Sequence, residues 1–201
     1  MDYLQKILKL VRFGKIRTKY SHHNLIYRRQ KRFVFSVDCS GLVEFWLSKK
    51  HQDALQEVYD FVYQIRQVDK KEIKRLYYFD FYDFFENIKE KGTRCWQAFD
   101  IQEKFQYGDI IAFVKDDNAT NKARFGHLAV VDCEVMRSTD KIVVKVIDSS
   151  AIKHIEDYRQ SKNKGIGCGN LEIYLSQGKV VSMCFDPECV RPRKVLIGRL
   201  K

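Results

Sequence analysis

Hydrophobic and polar positions recur with two different periods along this chain, and the change falls near its middle. In the first half, apolar residues return every three or four positions. Leu4, Ile7, Leu8 and Val11 share one face of an N-terminal amphipathic helix (1–17), with Lys6, Lys9, Arg12 and Lys15 set against them. Leu42, Val43, Phe45 and Trp46 predict a helix reaching about residue 47. Leu55, Val58, Tyr59 and Val62 predict another over 53–65. Ile73, Leu76, Tyr77, Phe81, Phe84, Phe85 and Ile88 keep helical spacing over 69–91, up to Gly92. After Trp96 the runs become short and strand-like, at 110–114, 126–131, 142–148, 171–175, 180–185 and 194–198. One earlier strand, 33–37, precedes the second helix. Helices first and strands last argue an α+β fold rather than an alternating α/β one. The basic stretch 18–32 reads as a connection, and the glycine cluster 165–169 as a tight hairpin link.

The stretch around residue 39 brings chemistry into this pattern. Asp38 and Ser40 are both good helix-starting residues, and Cys39 lies between them. A cysteine in the first turn sits at the positive end of the helix dipole, which favours the nucleophilic thiolate. The simpler alternative is a small buried residue at an ordinary helix start, one of six scattered cysteines.

The strands carrying His127 and Asp148 are joined by a turn-rich link at 136–141, so an antiparallel hairpin is expected. A register centred between Arg137 and Ser138 places His127 directly opposite Asp148 on one face. The carboxylate would then hold one ring nitrogen and leave the other free. Cys39, His127 and Asp148 thereby form a candidate nucleophile, base and orienter.

At these residues the chain resembles a known family. Asp38-Cys39-Ser40-Gly41-Leu42-Val43, then Tyr107-Gly108-Asp109-Ile110-Ile111-Ala112-Phe113, then Gly126-His127-Leu128-Ala129-Val130-Val131 are similar, in the same order, to motifs of the NlpC family of papain-like cysteine peptidases. The resemblance implies a papain-like fold whose nucleophile helix packs on a C-terminal antiparallel sheet, and hydrolysis of amide bonds in peptidoglycan stem peptides. It implies Cys39 as nucleophile, His127 as base and Asp148 as third member, where many relatives carry His. Asp38 and a tyrosine would hold the substrate's free amine, Tyr20 being the candidate for that tyrosine, and Ser40 would border the pocket. A helical insert over 48–92 would enlarge the domain relative to the family, and no cell-wall-binding repeat accompanies it.

Size and charge narrow the setting. The 201 residues suit one domain, and their net charge of +11 attracts anionic partners without choosing among them. No apolar run is long enough to span a membrane. The basic residues of the first helix interrupt any signal-peptide core, so a cytoplasmic setting is expected, or export by a route without a classical signal. The scattered cysteines read as reduced thiols. Cys184 and Cys189 are the one close pair, read as a turn rather than a zinc site. No cofactor and no metal are expected, and the protein is expected to be a monomer. Peptide or peptidoglycan is the expected substrate, with nucleic acid disfavoured. The competing readings are a basic module for nucleic acid or anionic membrane that keeps the fold without catalysis, or a thiol acyltransferase or deamidase of the same fold. Arg28, Arg29, Lys31 and Arg32 argue for the first of these.

Overall fold

The computed structural model describes residues 2–30, 32–101, 104–115, 126–159, 164–185 and 193–201. Cys189 lies outside the described residues.

The fold is α+β. Helix α1 (Tyr3–Arg12) is followed by strands β1 (Ile16–Lys19), β2 (Leu25–Arg29) and β3 (Arg32–Ser36). Next come α2 (Cys39–Lys50), α3 (Gln52–Arg66) and α4 (Tyr78–Ile88). Strands β4 (Trp96–Phe99), β5 (Ile110–Lys115), β6 (Gly126–Arg137), β7 (Lys141–Ser150), β8 (Gly165–Ser176), β9 (Lys179–Cys184) and β10 (Arg193–Leu200) complete the chain. These seven form one antiparallel sheet in the order β4-β10-β5-β6-β7-β8-β9. Strands β1, β3 and β2 form a separate three-stranded sheet, with β1 parallel and β2 antiparallel to β3.

The large sheet is apolar on both faces. Leu128, Val130 and Ile147 face α2 and α4, where Leu42, Val43, Trp46, Phe81 and Phe85 fill the main core. Fully burying a side chain of this size is worth about 1.5–3 kcal/mol, so the apolar face of α2 alone anchors the helix firmly. Alternate residues Ile111, Ala129, Val131, Val144 and Val146 form a second cluster on the other face, with Phe99, Ile101 and Phe105. The sheet curls enough to bring β9 up to β10 and enclose that cluster.

Helix α1 packs on the core through Leu4 and Ile7. Three expectations are corrected. The basic connection 18–32 contains the second half of β1, all of β2 and the first residue of β3, because edge strands tolerate the charges that core strands exclude. The stretch 69–91 is not one helix. A short 3₁₀ turn at Lys70–Glu72 gives way to extended chain, and α4 starts at Tyr78, where Asp80 accepts the Tyr77 N–H at 2.7 Å. The glycine cluster 165–169 is not a hairpin link but the start of β8. There Ile166 and Cys168 point into the core, while the glycines between them leave room for the chain that crosses over.

Candidate active site

Three local devices bring the candidate residues together. The first is the helix start. Asp38 caps α2, its side chain accepting the Gly41 N–H at 2.9 Å and the Ser40 hydroxyl at 3.1 Å. The Asp38 N–H in turn donates to Asn24 Oδ1 at 3.0 Å. Asn24 lies so close to the helix that a Cβ on Gly41 would fall 2.2 Å from its side-chain oxygen. The glycine of the Asp-Cys-Ser-Gly motif is therefore a space requirement. The second device is a tie between α2 and the sheet, in which Ser149 Oγ at the end of β7 donates to the Val37 carbonyl at 2.6 Å. The third is the open end of the β6–β7 pair.

That pair does not keep the expected register. The ladder begins at Val130↔Ile147 and shifts twice before Arg137↔Ile142, once between Val131 and Cys133 and once between Glu134 and Met136. The turn is centred between Thr139 and Asp140, two residues later than expected, and the two bulges recover only half of that offset, so His127 is not directly opposite Asp148. Continuing the register from Val130↔Ile147 puts Asp148 across from Ala129, a diagonal neighbour of His127 on the same face. The imidazole spans the diagonal, and His127 Nε2 meets Asp148 Oδ2. With Nε2 engaged, Nδ1 is the ring nitrogen left for a further partner. Cys39 acts on His127 through both its charge and a side-chain hydrogen bond, so the sulfur lies close to the ring. Cys39, His127 and Asp148 are thus brought together.

The electrostatics follow from this arrangement. Burial alone would lower the His127 pKa, but the Cys39 sulfur and the Asp148 carboxylate outweigh it and push it up to about 10. Asp148 is fully buried, which disfavours its charge. His154, Arg159 and His127 reverse that and hold its carboxyl well below the usual range. Arg159 Nη2 bonds Asp148 Oδ1, and His154 Nε2 lies 3.2 Å from Asp148 Oδ2 at ion-pair distance. The His154 ring stacks on Phe185 with centroids 4.0 Å apart and stands edge-on to His127. Asp157 completes the support, accepting the N–H groups of His154 at 3.1 Å and Arg159 at 2.8 Å.

His154, Asp157 and Arg159 were missed from the sequence, because 151–159 has no hydrophobic period to place it. A signal was nevertheless present. Glycines at 165, 167 and 169 alternate within a strand, and such glycines mark a close crossing. A Cβ at Gly167 would strike Arg159, and one at Gly169 would strike His154.

Tyr20, Asp38 and Ser40 also surround Cys39, with different standing. Burial raises the Tyr20 hydroxyl pKa, and the charge of Cys39 adds to the rise, so the phenol and the sulfur are near enough to interact. Asp38 and Ser40 are both buried and engaged within the protein. Arg75 reaches in from the extended chain before α4, its Nη2 lying 2.6 Å from Asp38 Oδ2 and 2.9 Å from Ser40 Oγ. His22 Nδ1 adds a contact to Asp38 at 3.0 Å. Burial opposes the Asp38 charge, but Arg75, the Gly41 N–H and His22 together lower its pKa. A guanidinium thus stands against the carboxylate that, by resemblance, would receive a substrate amine.

His127, Asp148 and His154 present three ligand atoms within 4.8 Å of one another, a set that could hold a metal ion. Arg159 on the same carboxylate opposes a second cation there. Cys184, of the Cys184/Cys189 pair, is buried at the end of β9. No helix among the described residues is long and apolar enough to cross a membrane. Comparison of the chain with protein-family models, with curated proteins and with solved structures finds no match in any of the three.

Proposed function

We propose that this chain is a papain-like cysteine hydrolase that cleaves an amide bond, with a peptide of the peptidoglycan stem type as the substrate class its motifs suggest. One observation carries the reading: His127 bonds Asp148 through Nε2 and also interacts with Cys39 by charge and hydrogen bond. Such an arrangement has no packing rationale, and it is what nucleophilic catalysis requires.

In this mechanism Cys39 and His127 form a thiolate–imidazolium pair, consistent with a His127 pKa near 10. The sulfur attacks the carbonyl carbon, and the carbonyl π-electrons move to oxygen. Of the first N–H groups of α2, that of Asp38 donates to Asn24 and that of Gly41 to the cap. Those of Cys39 and Ser40 remain to receive the oxyanion. His127 then gives its proton to the departing amine as the C–N bond breaks, leaving a thioester on Cys39. It next takes a proton from water, whose oxygen attacks the thioester carbon; the C–S bond breaks, the acid leaves, and the thiolate–imidazolium pair is restored. Asp148 keeps Nε2 protonated and the ring aligned throughout. Because Arg75 neutralises Asp38, the substrate is not held by a free amine at that carboxylate, which separates this chain from the family it resembles.

Iodoacetamide labelling followed by peptide mapping tests the reading. Near neutral pH, Cys39 is expected to react faster than exposed Cys133 despite its burial, and Cys39→Ala is expected to abolish turnover while leaving the fold intact. Labelling of Cys39 no faster than buried Cys168 would sink the proposal. Acyl transfer or deamidation by the same residues would appear as a different product from the same Cys39-dependent reaction.

A further inference from the structure

The charge of this protein is concentrated at one end of its sequence. The first 37 residues hold ten Lys and Arg against a single acidic residue, Asp2, which is a net +9 of the chain's +11. The register of the small sheet shows where part of that charge points, because residues paired across strands share a face. One face carries the rows Ile16–Phe33–Arg28 and Thr18–Phe35–Ile26. Ile16 and Phe35 belong to the main core, so this face turns inward at those two positions, while Phe33, Arg28 and Ile26 on it stay exposed.

The opposite face looks outward, with the rows Arg17–Val34–Tyr27, Lys19–Ser36–Leu25 and Arg29–Arg32. Arg17, Lys19, Arg29 and Arg32 are all exposed. Among the described residues none of the four takes part in an ion pair. The middle strand contributes buried Val34 and Ser36, and on the edge strand β2 Leu25 is 57% and Tyr27 43% exposed. The result is a face with an aliphatic and aromatic edge, Arg29 and Arg32 at its end, and Arg17 and Lys19 on the opposite edge strand.

We infer that this outward face docks on an anionic phospholipid bilayer. The cations alone would suit any polyanion. The exposed apolar edge selects the occupant: a leucine and an amphipathic tyrosine on the same face as four basic side chains match the boundary between headgroups and acyl chains. Nucleic-acid platforms stack bases on aromatic rings and have no use for an exposed leucine. Docking also has a geometric consequence. Strand β3 ends at Ser36, three residues before Cys39, and Tyr20 follows directly on β1. A bilayer on this face would hold Cys39 close to its surface, so the amide substrate would be one presented at a membrane. That last step rests on the hydrolase reading; the docking does not.

Cosedimentation of the full chain with vesicles tests it, using phosphatidylcholine alone and phosphatidylcholine mixed with phosphatidylserine. Binding is expected only to the mixed vesicles, falling steeply as salt is raised. Arg29→Gln with Arg32→Gln is expected to weaken partitioning roughly 25-fold, from about fivefold per cation. Leu25→Ser is expected to weaken it by about tenfold through lost apolar burial. Cys39→Ser is expected to bind like the unaltered protein, which separates failure of docking from failure of catalysis. Circular dichroism melts of each variant check that the fold persists. Equal binding to neutral vesicles, or none to the anionic ones at low salt, would overturn the inference. So would tighter binding to a short RNA duplex that Leu25→Ser leaves unchanged, since that outcome assigns the face to nucleic acid.

Discussion

Cys39 and Cys168 are both buried in the main core, 4% and 3% exposed, yet the two thiols stand in opposite surroundings. Cys39 opens a helix and faces His127, whose raised pKa keeps a positive charge beside the sulfur. Cys168 sits within β8, where burial and then the carboxylate of Asp132, 3.9 Å from its sulfur, push its pKa up to about 12. Burial is the same for both, so burial does not decide reactivity. The sign of the nearest charge and the presence of helix N–H groups do. At neutral pH Cys168 is a protonated, inert thiol that serves packing.

Substitutions can break or sharpen this contrast. The largest effect is expected from Cys39→Ala, which should eliminate turnover and fast alkylation together, read by peptide-mapped labelling and product assay. Next is His127→Asn, which removes the base and the positive charge. Turnover should fall by about 10²–10⁴ and Cys39 should label nearly as slowly as Cys168. Gly41→Ala should follow. Its Cβ would collide with Asn24, so the helix start must shift, at a cost of about 1–3 kcal/mol in a urea titration. Asn24→Gly should recover part of that loss in the double variant, because residue 24 has φ +50° and glycine adopts it freely. The smallest effect is expected from Cys168→Ala, about 1 kcal/mol of stability and no change in turnover.

A pH series gives the contrast a sign. The folded protein retains the His127 proton up to about pH 10, whereas an unfolded histidine loses it near 6.5. The stabilising contribution of this group is therefore complete below about pH 6.5 and is lost as pH rises towards 10. Melting temperature should decline across that window, and His127→Asn should flatten the decline. If both proteins lose stability in parallel, another group sets the slope.

How much of this was legible beforehand depends on which forces act locally. The start of α2, its Asp38 cap and its buried face follow from spacing and capping chemistry within a dozen residues, and all could be read there. The strands of the large sheet were visible because apolar runs of that length have few alternatives. The meeting of His127 and Asp148 was also legible, although its register was not. The turn lies two residues later than its expected centre, with Arg137 paired to Ile142, and the bulges at Val131/Cys133 and Glu134/Met136 that bring the strands halfway back leave no mark in the alternation. Arg75 was invisible for a related reason. Its stretch has helical spacing, but pairing with buried Asp38 draws it out of a helix, and that energy belongs to contacts 37 residues apart.

Arg75 has one more consequence, concerning motion. It comes from chain without regular structure, lies over the Tyr77 ring with 4.4 Å between guanidinium and centroid, and reaches back to the His22 carbonyl. If the segment before α4 loosened, Asp38 would become a buried carboxylate without its guanidinium, and the cap at Gly41 would weaken with it. The extended segment and the first turn of α2 should therefore open as one cooperative unit rather than fray separately. In hydrogen exchange, the amides of Gly41 and Leu42 should be protected about equally in the native protein and should lose that protection together in Arg75→Ala, while the amides of β7 keep theirs.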